Sequence, residues 1–329
     1  MKRRIFITGA GGFIGSALAR RLSAEGHDLV LFLRANERYL GLDGIQAAKE
    51  YGDVSDGHGK IMDAMKGCDL VYHCASKISF NRFNYAESYR INVLGTRNVL
   101  DAAYRNGIKK FAYISACAVF GFAKQKDIID ERSRYAVKKI NTYAYTKKLA
   151  EEEVRNYCSK GLDAVIVNPC TVYGQGDRKL NSGAIIKTVY HNKLRFAPPG
   201  GTTVISIDDA VEGLITALDK GRKGENYILA SEHMEYIDLL NIIAKITGAR
   251  RISGKIPSFF YYPAVFGAAL IELFDRRSDF ITPQIVKELF GYKYYSSSKA
   301  TAELGWRPKV KIGEAIQKAF IFYRDQGLL

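Results

Sequence analysis

The 329-residue chain is poor in the groups that hold metals and build disulfide frameworks. Its five cysteines, Cys68, Cys74, Cys117, Cys158 and Cys170, contain no CxxC pair, and its five histidines are equally dispersed. An odd, scattered set of thiols reads as free cysteines in a reducing compartment, and no metal-like spacing appears. No bound metal is expected. Signal-peptide features are also missing: Met1-Lys2-Arg3-Arg4 runs directly into an apolar strand and glycines, without a longer apolar stretch or a small-residue cleavage site. A cytoplasmic protein is the expectation. There are no internal repeats, no low-complexity tracts and no linker long enough to separate independent domains.

Acidic residues are in deficit, 34 against 49 Lys and Arg, for a net charge of +15. The basic residues are spread along the chain, which suits a solvated surface with anionic cofactor phosphates as a partial cause. A nucleic-acid partner would rest on charge alone, and weak, steeply salt-dependent association is all that charge supports. Hydrophobic content of 47% against 25% charged provides for a packed core, and the length favours one large domain plus a smaller one.

Two stretches carry chemistry. Arg4–Thr8 is a β-branched and aromatic run that ends in Thr8-Gly9-Ala10-Gly11-Gly12-Phe13-Ile14-Gly15, and a helical pattern follows from Phe13 to Ala24. Strand, glycine turn and helix in that order suit a dinucleotide: glycine permits the turn, no side chain obstructs the pyrophosphate, and the helix start offers free N–H groups. The second stretch is Asn141–Glu153, where Tyr143 and Lys147 stand four apart in a helix-favouring run. An ammonium near a phenol favours the phenolate and lowers a pKa that is otherwise about 10, which makes the pair a proton-transfer site beside a carbonyl or alcohol. The same spacing recurs at Tyr135…Lys139 and Tyr295…Lys299, the latter in a loop-like serine run, so context must select the functional copy.

The spacing Gly9, Gly12, Gly15 resembles the TGxxGxxG of the extended short-chain dehydrogenase/reductase family, also called the NAD-dependent epimerase/dehydratase superfamily. The resemblance covers most of the chain and is most specific over its first half. It implies a doubly wound parallel α/β sheet of Rossmann type, over about 1–174 and 204–230. A smaller, discontinuous substrate part would come from 175–203 and 231–329. In NAD-preferring members the second strand, here His27–Leu33, ends in an acidic residue. This chain has Leu33, then Arg34 and Arg38, and a guanidinium suits a 2′-phosphate, so NADP is expected over NAD. Thr8, Gly9, Gly12, Phe13, Ile14 and Gly15 match the phosphate loop. Asp53 and Val54 match the adenine contact. Cys74 ends a buried strand, Asp69–Cys74, that runs into Ala75 and Ser76, and the three match the segment that flanks the pyrophosphate and nicotinamide ribose.

Tyr143 and Lys147 fall where the family places its YxxxK, and Ala150-Glu151 match its continuation. Asn92, in a helix over Glu87–Tyr104, matches NxxGT and would be buried, holding water or backbone near the active site and relaying protons through water. The family's catalytic Ser or Thr, after the fifth strand Lys110–Ser115, is replaced by Ala116. Ser115 beside it is expected to hydrogen-bond locally in the turn and to lie at the cofactor, while Asn168 and Pro169 match the loop over the nicotinamide. Val204–Asp209 looks like a strand returning to the sheet. The run before it, Gly200-Gly201-Thr202-Thr203, lacks the arginine of nucleotide-sugar enzymes and resembles dihydroflavonol reductases and 3β-hydroxysteroid dehydrogenases instead. Ile256–Phe274 is strongly apolar, interrupted by Pro257 and Pro263, and marginal for a membrane span. It is expected as a buried or lid helix over an apolar pocket, in preference to membrane contact. The implied activity is hydride transfer to a small apolar ketone or alcohol with Tyr143 as proton donor. Tightly NAD-bound nucleotide-sugar epimerisation or dehydration, and a cofactor-binding protein weakened by Ala116, are the alternatives. Relatives dimerise through the helices bearing Asn92 and Tyr143, so a homodimer is expected.

Overall fold

The structure is a computed structural model that describes residues 2–35, 39–133, 137, 139–275 and 281–329. Arg38 and Tyr135 lie outside the described residues. Seven parallel strands form the main sheet: β1 (Arg4–Thr8), β2 (Asp28–Leu33), β3 (Ala48–Tyr51), β4 (Leu70–His73), β5 (Lys110–Ile114), β6 (Ala164–Pro169) and β7 (Asn226–Leu229), in the order β7-β6-β5-β4-β1-β2-β3. The strand order reverses between β1 and β4, which opens a crevice at the carboxyl ends of those strands, the usual ligand position in such sheets.

Alternating side chains cover both faces of the sheet. Ile5 and Ile7 join Leu29, Leu31 and Leu33 on the face packed by α1 (Phe13–Ala24) and by Ala210, Leu214 and Leu218 of the helix Ile207–Lys220. Phe6, Val30 and Phe32 point the other way, onto α2 (Gly95–Arg105) and α3 (Thr142–Ser159). The period of two along each strand thus places every second residue in one of two apolar layers.

A second, smaller sheet joins strands Glu232–Glu235, Gly201–Ser206, Tyr292–Tyr295 and Ile128–Ile129, with Thr171–Tyr173 paired to Gly201–Ser206. Three sequence expectations need correction here. Val204–Asp209 does not return to the main sheet: its first residues belong to this second sheet, and Ile207 already begins a helix (α4, Ile207–Lys220) capped by Ser206 Oγ, which accepts from Asp209 N at 2.9 Å. The returning strand is β7. Tyr295 is no loop residue; it closes a strand, is 3% exposed and donates to Gly121 O at 2.5 Å.

The third concerns the buried alternative for Ile256–Phe274; the lid alternative is untouched by it. It is helical over α5 (Tyr261–Phe274), with Pro263 in the first turn, where a missing N–H is tolerated. Only Ala268 and Glu272 of this helix are buried, whereas Tyr262, Phe266 and Phe274 are 78%, 67% and 85% exposed. Among the described residues no helix is long and apolar enough to cross a membrane.

Candidate active site

The glycine loop leaves β1 at Thr8 and enters α1 at Gly12. Gly9 has φ +66°, and a Cβ there would lie 2.5 Å from Ala75 N, so the turn needs glycine for both conformation and space. A Cβ on Gly15 would lie 2.2 Å from Gly9 O, which lets the helix sit directly on the turn. The start of α1 has no side-chain cap and no acidic residue in its first turn. The first N–H groups of a helix have no intrahelical partner, so Phe13, Ile14 and Gly15 present an uncontested donor set to an anion. These features fit a dinucleotide diphosphate.

Thr8 and Ala75 are tied by a hydrogen bond, Ala75 N to Thr8 Oγ1 at 3.3 Å, and Cys74 N donates to Thr8 O at 3.1 Å. Thr8 Oγ1 also lies 2.6 Å from His73 Nδ1, and His73 Nε2 lies 2.9 Å from Thr96 Oγ1, whose hydroxyl donates to Asn92 O at 2.6 Å. That chain assigns the ring proton to Nε2 and makes Nδ1 an acceptor from Thr8. Burial pushes the His73 pKa down to about 3, with the Lys147 charge adding to the shift, so the ring is neutral. Burial likewise pushes the Cys74 thiol up to about 12.

Asn92 sits in a π-helical turn, Arg90–Leu94, between Tyr85–Tyr89 and α2. The sequence pattern suggested one unbroken helix; the wider turn swings the Asn92 amide inward, where it is 1% exposed. Its Oδ1 accepts from Lys77 N at 2.7 Å and Ser76 Oγ at 3.1 Å, and its Nδ2 donates to Lys77 O at 2.9 Å and Thr146 Oγ1 at 3.0 Å. Those four bonds exhaust the amide. No donor remains for a water chain, whereas the expected hold on backbone is present: the Asn92 amide joins the Ser76–Lys77 loop to α3.

Asn141 caps α3, its Oδ1 accepting from Ala144 N at 3.2 Å, a contact typically worth about 1 kcal/mol. Buried residues then recur at Ala144, Lys147, Ala150, Glu151 and Val154, so helical spacing forces Lys147 into the interior among apolar neighbours. Its Nζ donates to Ile114 O at 2.6 Å and lies 4.5 Å from the Tyr113 ring centroid. Burial pushes the Lys147 pKa down to about 7 against the opposing pull of Glu151.

Tyr143, one turn earlier, stands edge-on to Phe80 at 5.8 Å between ring centroids. Burial raises its phenol, and nearby Cys117 adds to the rise. The expected lowering by Lys147 is not found, because the ammonium is directed at a carbonyl and desolvation dominates.

Ser115 is 3% exposed and its Oγ has no hydrogen-bond partner, contrary to the expected local bond. An orphaned buried hydroxyl at the strand end is a second feature that suits a bound polar group. Asn168 is different: Nδ2 donates to Glu151 Oε1 at 2.8 Å and Ala116 O at 3.2 Å, and Oδ1 accepts from Asn226 Nδ2 at 2.9 Å. Its side chain holds β5, β6, β7 and α3 together, while Pro169 closes β6. Asp53 accepts from Ser55 N at 2.8 Å and Ser55 Oγ at 2.7 Å, bonds that with the Arg34 charge outweigh burial and lower its pKa. Val54 packs at Gly95, where an added Cβ would lie 2.8 Å from its Cγ2. Leu33 is buried and Arg34 is exposed, with its carbonyl accepting from Tyr39 Oη at 2.9 Å. Tyr39 also packs on Gly11, where a Cβ would lie 2.0 Å from its ring.

Thr146, His73, Thr96, Glu151 and Phe80 had no assigned role in the sequence. Glu151 stood at helical spacing from Lys147 and could have been found; the others depend on contacts between distant segments.

A Gly-rich turn at the first strand–helix junction, a strand-order reversal above it and a Tyr/Lys pair on the helix behind define a dinucleotide-dependent enzyme of the extended short-chain dehydrogenase/reductase type. The NAD-dependent epimerase/dehydratase family model matches residues 5–230, and the chain belongs to that family. It is 29% identical to sterol demethylase protein B of Methylococcus capsulatus, over 98% of this chain and 99% of that protein. It is 30% identical to a Synechocystis sp. protein provisionally named dihydroflavonol 4-reductase, over 98% of this chain and 95% of that one. The crystal structure of gox2253 superposes with a TM-score of 0.87 at 29% identity, covering both chains in full.

Proposed function

We propose that the protein is an NADP(H)-dependent reductase of an apolar ketone, or oxidises the corresponding alcohol. The observation that carries this reading is Tyr143, packed against Phe80 and close to Cys117, one helical turn from a buried Lys147. Thr8, Gly9, Gly12, Ala75 and the first N–H groups of α1 would hold the diphosphate. Arg34 would take the 2′-phosphate in the place where NAD-preferring relatives carry an acid. When bound, the nicotinamide supplies a hydride to the carbonyl carbon.

The chain's own residues then handle the proton. A phenol whose pKa is raised by burial is fully protonated at neutral pH, which suits a donor in the reductive direction. Tyr143 Oη gives its proton to the substrate oxygen, and Lys147, whose ammonium keeps donors beyond its bond to Ile114 O, would hold the nicotinamide ribose hydroxyls. Asn92 fixes α3 through Thr146, and so fixes the height of Tyr143. Ala116 offers no hydroxyl to the substrate oxygen, and loss of one such donor typically slows an enzyme by on the order of 10²–10³. Residues 175–203 and 231–329 would supply most of the substrate pocket. Relatives named after a sterol and a dihydroflavonol agree with an apolar ring substrate. Nucleotide-sugar chemistry is disfavoured by the run Gly200–Thr203, which has no arginine for a diphosphate.

The test is NADPH oxidation against a panel of alicyclic and aryl ketones. Tyr143→Phe is expected to remove nearly all turnover on any ketone the wild type reduces, while NADPH binding persists. Undiminished turnover in that variant would overturn the assignment.

A further inference from the structure

The exposed residues of α5 and the turn before it are apolar and lie on one side. Phe259, Tyr262, Phe266, Leu270, Leu273 and Phe274 follow at intervals of three, four, four, three and one, and each is between 42% and 85% exposed. At 100° per residue these positions fall on one flank of the helix, and Phe260 and Ile271, 45% and 43% exposed, widen the exposed arc to about half of its circumference, while Ala268 and Glu272 on the remaining side are buried. The usual arrangement is inverted, with the aromatic stripe facing outward. The sole ionisable carboxylate of α5, Glu272, is 2% exposed and paired to Arg82 at 3.3 Å, so the outward face carries no charge. Contiguous apolar surface of this kind marks an interaction site.

We propose that this face docks the enzyme onto an anionic lipid surface, with α5 lying in the interface. A helix of 14 residues is about 21 Å long, short of the roughly 30 Å hydrocarbon core, so it can lie in a bilayer surface but not span it. Phenylalanine and leucine on the buried side, with basic groups at the rim, are what interfacial helices use. Basic residues flank the segment in the sequence: Arg250, Arg251 and Lys255, all exposed, precede Ile256 by one to six residues, with Lys255 paired to Glu235, and Arg82, 45% exposed, pairs with Glu272 on the opposite flank. The net charge of +15 adds a long-range attraction to anionic headgroups that a second copy of this chain, equally positive, would not feel.

The face also adjoins the candidate site. Arg82 N donates to Glu272 Oε1 at 3.2 Å, Thr142 Oγ1 donates to Asn81 O at 3.1 Å, and Phe80 contacts Tyr143. Ile78 and Phe83, 43% and 42% exposed, are further exposed apolar side chains on the segment that runs from the buried flank of α5 to Tyr143. An apolar ketone dissolved in the bilayer would therefore reach Tyr143 by a short path past residues 78–83. The inference deepens the apolar-ketone reading, but the docking itself needs neither cofactor nor substrate.

Co-sedimentation with phosphatidylglycerol/phosphatidylcholine vesicles, without cofactor, tests it. Wild type should bind, should bind phosphatidylcholine alone at least tenfold more weakly, and should be released by 0.5 M salt to a similar degree. The double variant Phe266→Ser/Phe274→Ser should bind at least tenfold more weakly, and Tyr262→Ser, at a position equally free of core contacts, should weaken binding in the same direction. Wild type remaining in the supernatant, or variants that bind as well as wild type, would overturn docking. A concentration-dependent dimer that the double variant breaks, with no vesicle binding, would assign the face to a second copy and overturn it as well. Ketone reduction by Tyr143 would stand in either case, because it is assayed in solution.

Discussion

Ala116 is the residue at which the site departs most from its family pattern, and it sets the first prediction. With its backbone extended and its carbonyl accepting from Asn168, a serine at 116 would place a hydroxyl at the substrate side without disturbing that bond. Ala116→Ser is expected to raise kcat on a working ketone, by up to about 10² if the hydroxyl reaches the oxyanion, with Kd for NADPH unchanged. Lys147 sets the second. Its folded pKa is pushed down to about 7 while an unfolded lysine titrates near 10.4, so between those values the unfolded chain binds one more proton than the folded one. The stability contribution of Lys147 therefore rises with pH from about 7 to about 10, is lost again as pH falls from about 10 to about 7, and is flat below. Melting temperatures of wild type and Lys147→Met, without cofactor, should differ by an amount that is flat below pH 6.5 and moves in favour of wild type up to pH 10. A pH-independent difference would show that the ammonium is not desolvated. The pairing of Tyr143 with Lys147 was legible from spacing, but the direction of their shifts was not: Lys147 is buried and Tyr143 half-buried, and desolvation sets the direction of both.

At the scale of elements, the glycine loop and the π-helical turn are the two devices that locate the site. The first was plain in the sequence, because strand, glycines and helix are local. Gly15→Ala would drive a Cβ to 2.2 Å from Gly9 O, so the variant should lose dinucleotide binding by more than tenfold and melt earlier; calorimetric titration with NADPH reads the first and thermal unfolding the second. The π turn was invisible, because nothing in Arg90–Leu94 breaks helix propensity. Its reason lies 15 and 54 residues away, at Lys77 and Thr146. Asn92→Ala would leave the Lys77 amide and carbonyl unpaired in the interior, and a buried unsatisfied group costs about 1–3 kcal/mol. Urea denaturation should show a loss on the order of 2 kcal/mol or more, whereas a water-relay role alone would leave stability unchanged. Val204–Asp209 failed for a related reason: its apolar alternation identifies a strand without naming its sheet, and the Ser206 cap that ends it is a feature of the following helix.

For the molecule as a whole, the main sheet was read from the order of apolar runs, since each βαβ unit is contiguous in the chain. The second sheet was not, because it gathers strands from residues 128 to 295, too far apart for any local pattern. The helix Tyr261–Phe274 shows the limit of hydrophobicity as a guide to burial: composition marks it as apolar, but only packing tells which way its face turns. The cofactor is the claim on which the other readings depend. The proposed preference for an exchangeable NADP(H) over a permanently held NAD rests on Leu33 and Arg34 at the end of β2, since the phosphate loop serves the diphosphate common to both. Native mass spectrometry of the purified protein, before and after adding NADPH and NADH, measures this directly. Protein that arrives empty and takes up NADPH in preference to NADH, with the preference lost in Arg34→Leu, is the predicted result. Protein that arrives with one NAD held through desalting would contradict the reductase account and favour an enzyme that returns the same hydride to its substrate.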